Sequence, residues 1–385
     1  MPIFGTRPEA IKMAPVIRAL AADRRFRVIT VVTAQHRELL DRVLTLFELR
    51  PDHDLDLMRR EQSLADLTAR ALTALDRVMA AERPEIVLVH GDTTTTFAAA
   101  LASFYHRLPV GHVEAGLRTG DRYRPFPEEA NRRLAGALAE LHFAPTAQAR
   151  AHLLAEGIES GRIFVTGNTV VDALELALAR LREQGVTRPR TVEIDRPYLL
   201  VTAHRRENWG VKMAGICRAL AAILEVHPEL DLVMPVHPNP AVQRTVRDIL
   251  AGRPGVHLLP PLDYDEMVLL MSGARLVLTD SGGIQEEAPV FGLPVLVLRD
   301  TTERPEAVEA GTVALAGTEE EGIYALARRV LEDGELYARM ANAVNPYGDG
   351  RAADRIAGIL LYAFGLLPEP PRPFTASSTR VRASD

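Results

Sequence analysis

Residues 85–107 read EIVLVHGDTTTTFAAALASFYHR. A continuous run of Ile, Val and Leu comes first, then a polar turn, then a longer segment with the spacing of a helix. The same order returns at 274–292, where ARLVLTDSGG precedes IQEEAPVFG. Strands without polar alternation are covered on both faces, as in a parallel sheet flanked by helices. The two stretches therefore predict an α/β fold with parallel sheets.

Other continuously apolar runs predict further strands of the same kind. They are RVITVVT (27–33), PVGHVEA (109–115), RIFVTG (162–167), YLLVTAH (198–204), DLVMPVH (231–237), VHLLPP (256–261) and PVLVLRD (294–300). These runs occupy both halves of the chain, so each half is expected to be a doubly wound sheet.

A chain of 385 residues suits two domains. The charged segment from about Ala177 to Pro197 holds two prolines and no continuous strand, which is typical of a linker. We predict a first domain at 1–170, joined by a returning helix at about 351–366, and a second domain at 171–350. The Pro-, Ser- and Thr-rich end, 367–385, is predicted to be disordered.

Composition excludes several classes of protein. Hydrophobic residues make up 47% and charged residues 25%, as in ordinary globular proteins, and the formal net charge is −6. The mixed charges leave no basic face for nucleic acid. No signal peptide and no apolar run of about 18 residues is present, so we expect a cytoplasmic protein without a membrane span. The single Cys217 is expected to be a buried, inert thiol.

Familiar cofactor and catalytic motifs are absent from the sequence. It contains no G-x-G-x-x-G, no P-loop, no H-E-x-x-H and no G-x-S-x-G. The histidines are too scattered to predict a metal site, although spacing alone leaves one open. We expect neither a metal nor a bound cofactor.

Four strand-to-helix junctions are unusually polar, and ligands of open α/β sheets bind at such junctions. They are GTRPEAIK (5–12), HGDTTTT (90–96), TAHRREN (202–208) and TDSGGIQEE (279–287). Ser281, Gly282 and Gly283 follow a strand and open a helix, which favours a phosphate, although a simple tight turn fits as well. Glu287 could accept hydrogen bonds from ribose hydroxyls, as acidic groups do in dinucleotide folds.

Cations and carboxylates share these junctions. Arg7 and Lys12 in the first half and His204, with its neighbouring arginines, in the second half suit a diphosphate, although each could equally form a surface ion pair. Asp92 and Glu114 end neighbouring apolar runs and could divide acid and base roles. Glu128 could join them, or could merely complement the start of a helix.

Eleven segments, from Gly5 to about Leu361, together resemble the bacterial non-hydrolysing UDP-N-acetylglucosamine 2-epimerases. In order they are GTRPEAIKMAPVI, TAQHRELLD, VHGDTTTTFAAAL, GHVEAGLRTGD, PFPEEANRR, TGNTVVDAL, HRREN, PVHPNP, LTDSGGIQEEAP, RDTTERPEA and NPYGDGRA. The resemblance implies a GT-B fold, with two Rossmann-like domains, an interdomain cleft and a C-terminal helix that crosses back to the first domain.

The resemblance also implies an activity. UDP-N-acetylglucosamine and UDP-N-acetylmannosamine would interconvert by elimination of UDP to 2-acetamidoglucal and re-addition, without a cofactor. The product would supply N-acetylmannosamine for cell-surface polysaccharide, and the enzyme would be a homodimer.

The family's functional residues carry over to matching positions. The resemblance gives Asp92, Glu114, Glu128 and His204 as catalytic residues. It gives the nucleotide-sugar contacts as Arg7, Lys12, Leu262, Met267, Ser281, Gly282, Gly283, Glu287 and Arg304, although a polar residue is common at position 262. A second, allosteric UDP-N-acetylglucosamine would contact Gln35, Arg206 and His237.

One departure and three alternatives remain. Only Met1, Pro2 and Ile3 precede Phe4 and Gly5, whereas the family has several more residues there. Either the first strand is short, which would weaken the edge that positions Arg7, or the recorded start is too late. A hydrolysing epimerase, a GT-B glycosyltransferase and an inactive nucleotide-sugar sensor are the alternatives. RDTTERPEA and NPYGDG favour the non-hydrolysing branch, and the intact carboxylates speak against a sensor.

Overall fold

A computed structural model describes residues 1–33, 37–59 and 62–376 of the chain. Gln35 and the last part of the predicted disordered tail, 377–385, lie outside the described residues. The chain divides into two compact units. Unit 1 comprises Met1–Ala177 and Tyr347–Ala376, and unit 2 comprises Leu178–Pro346.

Strands and helices alternate along most of the described chain. The strands are β1 (Ile3–Phe4), β2 (Val31–Val32), β3 (His53–Asp54), β4 (Val87–His90), β5 (Val110–Val113), β6 (Leu141–Ala144), β7 (Ile163–Val165), β8 (Tyr198–Thr202), β9 (Asp231–Pro235), β10 (Val256–Leu259), β11 (Leu276–Thr279), β12 (Val295–Val297) and β13 (Val313–Leu315). The helices are α1 (Arg7–Ala21), α2 (Arg37–Leu46), α3 (Leu64–Glu82), α4 (Thr94–Tyr105), α5 (Glu128–Leu138), α6 (Ala147–Ala155), α7 (Thr169–Glu183), α8 (Val211–Val226), α9 (Pro240–Leu250), α10 (Tyr264–Gly273), α11 (Gly282–Glu287), α12 (Pro305–Ala310), α13 (Glu320–Glu332), α14 (Gly334–Asn342) and α15 (Ala352–Ala363).

The strands of unit 1 are all paired in parallel. One ladder has the order β1-β2-β3 and another the order β4-β5-β6-β7. A parallel bridge between Pro2 and Leu88, in which the Leu88 N–H donates to the Met1 carbonyl at 2.9 Å, joins β1 to β4. The joined order is β3-β2-β1-β4-β5-β6-β7, so the strand order reverses between β1 and β4. A ligand site is expected beyond the carboxyl ends of these two strands.

Unit 2 has one parallel sheet with the order β10-β9-β8-β11-β12-β13. This is the doubly wound order of nucleotide-binding domains, and it reverses between β8 and β11. The core packs α8 and α13 against the sheet through residues such as Leu220, Leu278 and Ile323, none of which is exposed. Each such side chain contributes about 1.5–3 kcal/mol through burial. The prediction of two parallel-sheet α/β domains is confirmed.

Two local predictions are also confirmed. Cys217 is buried in α8, and burial raises the pKa of its thiol to about 12, so the thiol is inert. The C-terminal helix α15 packs against α1 within unit 1, as the predicted returning helix requires. Strand β1 is short, with two residues, both fully buried.

The segment after α15 differs from the predicted disorder over residues 367–376. The Phe374 N–H donates to the Val165 carbonyl at 2.8 Å, and the Phe374 side chain is buried. The Arg355 guanidinium lies 5.7 Å from the centre of the Phe374 ring. The Arg355 Nε also donates to the Arg372 carbonyl at 3.3 Å, so several contacts hold a segment whose composition alone indicated disorder.

No helix within the described ranges is long and apolar enough to cross a membrane.

Candidate functional site

The first polar junction of unit 1 is built around a capping box. Thr6 caps α1, and its hydroxyl accepts a hydrogen bond from the Glu9 N–H while the Glu9 carboxylate accepts from the Thr6 N–H. Arg7 is the first residue of α1 and is half-buried. The capping box therefore fixes the turn between β1 and α1, and with it the backbone position of Arg7.

Glu114 lies at the end of β5 and is the most constrained of the predicted carboxylates. It forms an ion pair with Lys12 of α1, and the Asn168 amide donates to its Oε2 atom at 3.1 Å. Its φ of 60° lies in the left-handed region, which costs a residue with a Cβ about 1–2 kcal/mol. Such strain persists where surrounding contacts fix it, and it is concentrated at functional sites.

Asp92 follows β4, the neighbour of β5. Its carboxylate forms an ion pair with Arg132 of α5, and its carbonyl accepts from the Asn131 amide at 3.0 Å. A Cβ built on Gly91, the residue before it, would stand 3.8 Å from the Glu114 Oε1 atom. The Glu114 carboxylate therefore lies beside the turn that carries Asp92.

Glu128 and Glu129 open α5, where acids complement the positive end of the helix dipole. Glu128 is half-buried. Glu129 is fully buried, and its Oε2 lies 3.3 Å from Arg132 Nη1. Arg132 thus joins Asp92 to Glu129, so the start of α5, where Glu128 also lies, is held beside Asp92.

Buried histidines pack behind these carboxylates. His90 Nε2 lies 3.8 Å from Glu114 Oε2. The His112 Nε2 donates to the Gly91 carbonyl at 2.7 Å, and burial lowers the pKa of His112 to about 3. Burial likewise lowers the pKa of His142, opposite His112 on β6, to about 4. His112 and His142 are therefore neutral near pH 7.

In unit 2 the β8 and β11 junctions meet at Asp280. This carboxylate is fully buried and accepts from the backbone N–H groups of His204 and Arg205 and from the Asn208 amide. His204 Nδ1 lies 3.0 Å from Asp280 Oδ1. Burial tends to raise the pKa of Asp280, but the hydrogen bond and charge of His204 and the other donors hold it below its usual value.

The Ser281–Gly283 segment starts a short helix beside an arginine. A Cβ built on Gly282 would stand 3.8 Å from the Arg304 guanidinium, so this guanidinium lies close to the backbone of Gly282. The Arg304 Nε donates to Glu286 at 2.5 Å, and the Glu286 side chain is only 1% exposed. Glu286 therefore places a buried carboxylate against Arg304, three residues after Gly283.

The remaining nucleotide-contact predictions are Glu287, Leu262 and Met267, which also belong to unit 2. Glu287 ends α11, and a Cβ on Gly283 would stand 3.9 Å from its Oε1 atom. Leu262 is buried in the loop after β10, and Met267 is half-buried in the first turns of α10.

Two of the predicted allosteric residues, Arg206 and His237, pack near the indole ring of Trp209. The Arg206 guanidinium is 6.0 Å from the centre of the Trp209 ring, and the His237 ring is 5.8 Å from it. The Trp209 Nε1 donates to the His204 carbonyl at 3.3 Å. Arg206 and His237 are therefore joined through Trp209 to the residue predicted to be catalytic, while Gln35 lies outside the described residues.

Sequence reasoning missed several groups that organise these junctions. They are Glu9, Arg132, Asn168, Asp280 and Glu286. The T-x-x-E spacing from Thr6 to Glu9 is a capping-box signal and was the one sequence feature available for detecting Glu9. Over residues 1–33, 37–59 and 62–376, no cluster of three or more His, Cys, Asp or Glu side chains is arranged to hold a metal ion.

Comparison with known proteins agrees with the resemblance. The family model described as UDP-N-acetylglucosamine 2-epimerase matches residues 18–361. A Yersinia pestis protein named UDP-N-acetylglucosamine 2-epimerase is 55% identical over 360 residues, which cover 92% of this chain and 96% of that protein.

Solved structures give the same result. UDP-GlcNAc 2-epimerase from Neisseria meningitidis, bound to UDP-GlcNAc, has a TM-score of 0.86 and 48% identity, with 94% of this chain and 99% of that chain covered. The S. aureus MnaA structure with UDP has a TM-score of 0.85 and 46% identity, with coverages of 97% and 99%. These matches confirm the GT-B assignment and show that the chain belongs to the UDP-N-acetylglucosamine 2-epimerase family.

Proposed function

We propose that this chain interconverts UDP-N-acetylglucosamine and UDP-N-acetylmannosamine without releasing free sugar. The observation that carries the proposal is the group of carboxylates at the end of the unit 1 sheet, with Glu114 fixed by Lys12 and Asn168 beside the turn of Asp92. Removal of a proton next to a breaking C–O bond needs positioned bases and acids of this kind.

The proposed reaction begins with elimination. A carboxylate takes the proton from C2, the C–H electrons form the C1=C2 double bond, and the C1–O bond breaks with its electrons on the β-phosphate of UDP. The product is enzyme-bound 2-acetamidoglucal. In the return step an acid delivers a proton to the other face of C2, and a β-phosphate oxygen forms the new bond to C1. Atoms balance, and no cofactor is required.

We assign the proton transfers to Asp92, Glu114 and Glu128. Two faces of one carbon must be served, so two of these groups act as base and acid. Asp92 forms an ion pair with Arg132 and Glu114 forms one with Lys12, so a cation lies against each of these two carboxylates. Lys12 and Arg7 also provide positive charge for the nucleotide sugar.

The leaving UDP needs stabilisation of negative charge as the C1–O bond breaks. We assign this to His204, to the backbone of Ser281–Gly283 and to Arg304. Support comes from the Asp280 carboxylate, which holds His204, and from the closeness of Arg304 to Gly282. Glu287 would bind the ribose, and Leu262 and Met267 the uracil.

We also propose how the enzyme is regulated, where it acts and how its chain is divided into domains. We propose that Arg206 and His237, with Gln35, contact a second, activating UDP-N-acetylglucosamine, and the shared contact of the first two with Trp209 supports this. We also propose a homodimeric, cytoplasmic enzyme whose product supplies N-acetylmannosamine for cell-surface polysaccharide. The proposed domain division is 1–170 with 351–366, and 171–350.

The test is to incubate the protein with UDP-N-acetylglucosamine in deuterated water and follow the sugar by NMR. We expect UDP-N-acetylmannosamine to appear with deuterium at C2, and the substrate pool to acquire the same label. Free N-acetylmannosamine with UDP would instead identify a hydrolysing epimerase. Epimer formation without C2 exchange would contradict the elimination route.

A further inference from the structure

We propose that Glu9 is a positioning residue that holds the turn of Arg7 and the turn of Asp92 in one fixed arrangement. The proposal rests on the proposed function, because it matters for catalysis only if groups at these two turns act on one substrate. Glu9 does not touch the reacting atoms. It acts through its hydrogen bonds to the backbone and side chains on which the two turns depend.

One oxygen of Glu9 serves the first turn. Oε2 accepts from the Gly5 N–H at 3.0 Å, the Thr6 N–H at 2.8 Å and the Thr6 hydroxyl at 2.8 Å. Arg7 is the next residue in the chain. The position from which Arg7 emerges is therefore set by three hydrogen bonds to a single oxygen atom.

The other oxygen serves the second turn, more than 80 residues away in the chain. Oε1 accepts from the Thr93 hydroxyl at 2.6 Å, across a separation of 84 residues. The Thr96 hydroxyl, which donates to the His90 carbonyl at 2.5 Å, lies 3.1 Å from the same oxygen. The Thr93 hydroxyl in turn accepts from the Thr96 N–H at 3.1 Å and so caps α4. Asp92 is the residue immediately before this cap.

The arrangement exceeds what a helix cap needs. In the capping box of α3, Asp66 receives hydrogen bonds from Ser63, the cap residue of its own helix. Glu9 makes the equivalent bonds to Thr6 and adds a long-range bond from Thr93, the residue that caps α4. Its side chain is 2% exposed, so its acceptors are satisfied inside the protein and not by bulk water.

The packing around Gly5 leaves little freedom for the two turns to shift apart. A Cβ built on Gly5 would overlap the hydroxyls of Thr33 and Thr95, which are 2.8 Å from each other. Thr95 lies in the first turn of α4. The β1–α1 turn and the start of α4 are thus in direct contact, with Glu9 as the hydrogen-bonded link between them.

The experiment compares Glu9→Gln and Thr93→Val with Asp66→Asn and Thr93→Ser. Gln replaces an acceptor oxygen with a donor, and Val removes the Thr93 hydroxyl, so both break the link. Asn at 66 alters a matched capping box elsewhere, and Ser at 93 retains the hydroxyl. A displacement of about 1 Å in a positioned group can lower the reaction rate roughly 100-fold. We therefore expect kcat to fall about 10- to 100-fold in Glu9→Gln and Thr93→Val. UDP should also bind more weakly in the same variants, because Glu9 sets the position of Arg7, which we assign to the nucleotide sugar.

Hydrogen exchange supplies a readout that does not depend on activity. Thr93→Val should accelerate exchange at the Gly5 and Thr6 amides, while Thr93→Ser and Asp66→Asn should leave those amides unchanged. Faster exchange together with a lower kcat supports the proposal. Unchanged exchange in Thr93→Val, or full kcat in a folded Glu9→Gln, overturns it.

Failure of the proposed function has a different signature. If the unaltered protein shows no epimer and no C2 exchange, the proposed function is wrong and the catalytic role of Glu9 is overturned with it. The exchange data from the Thr93 pair still decide whether Glu9 links the two turns. If Glu9→Gln does not fold, the Thr93 pair alone decides both points.

Discussion

His204 Nδ1 lies 3.0 Å from Asp280 Oδ1, and the His204 backbone N–H donates to the same carboxylate. Asp280 therefore fixes both the main chain and the ring of His204. A carboxylate at Nδ1 keeps the proton on that atom and leaves Nε2 for another partner. Since the His204 side chain is 50% exposed, its Nε2 edge is accessible to a ligand while Nδ1 is held.

We predict that Asp280→Asn lowers kcat at least about tenfold, because an amide can present either its oxygen or its NH2 group to Nδ1 and no longer selects one ring tautomer. The measurement is steady-state epimerisation together with UDP affinity. Asp300→Asn is the control, since Asp300 is an exposed aspartate of the same unit. Equal loss in both variants would contradict a specific role for Asp280.

We predict that Asp92→Asn and Glu114→Gln each lower turnover about 100- to 10,000-fold, the usual contribution of general acid–base groups. Binding of UDP should persist, because the residues assigned to UDP belong mainly to unit 2. Calorimetry with UDP and C2 exchange by NMR measure the two properties separately. Glu140→Gln, at an exposed ion pair with Arg162, is the control. Normal turnover in both carboxylate variants would remove their proposed roles.

We predict that Arg304→Ala destabilises unit 2 by about 3 kcal/mol, because it leaves the buried Glu286 without its cation. Arg328→Ala provides the contrast. Arg328 forms an ion pair with Glu332 on the exposed face of α13. Arg328→Ala should therefore lower the free energy of unfolding by only about 0–1 kcal/mol. Denaturant unfolding of each variant measures the difference. Similar costs for the two arginines would show that burial of Glu286 has no effect.

We predict that Asp172 makes the protein less stable as the pH rises. Asp172 lies on α7 and accepts from the Ala353 N–H at 2.8 Å, and burial raises its pKa from 3.8 to about 7 against the lowering effect of that bond. A raised pKa means that the folded state holds its proton longer than the unfolded state. Its stabilising contribution is therefore full below about pH 4 and is lost as the pH rises through about 7.

The Asp172→Asn variant keeps an oxygen acceptor for Ala353 but cannot ionise. Its stability relative to the unaltered protein should therefore increase between pH 5 and pH 8. Thermal unfolding at a series of pH values measures this, with Asp300→Asn as the exposed control. A constant difference between variant and unaltered protein over that range would contradict the prediction.

The sequence predicted the architecture because long apolar runs such as those of β4 and β11 mark buried parallel strands regardless of their partners. It did not predict β3, whose two residues are His53 and Asp54, because that strand exists only through pairing with β2. The run at 27–33 gave a strand of only Val31 and Val32. Strand order and register depend on such long-range pairing, which a local pattern does not encode.

The same limit applies to the site. Residues such as Asp92 and His204 follow apolar runs and are visible from position alone. Asp280 follows a run too, but its importance depends on donors that come from around residue 204. In the sequence Glu9 has only the spacing of a capping box, and its hydrogen bond from Thr93 is apparent only after folding has brought β1 beside β4.

The division of the chain has a consequence for synthesis on the ribosome. Unit 2 is one uninterrupted stretch, Leu178–Pro346, whereas unit 1 needs both Met1–Ala177 and Tyr347–Ala376. Residues Met1–Ala177 of unit 1 are therefore synthesised before α15. The surface of α1 that α15 covers stays exposed until Tyr347–Ala376 has left the exit tunnel. For this chain the N-terminal half is the one that is completed last, the reverse of the usual order of domain folding during translation.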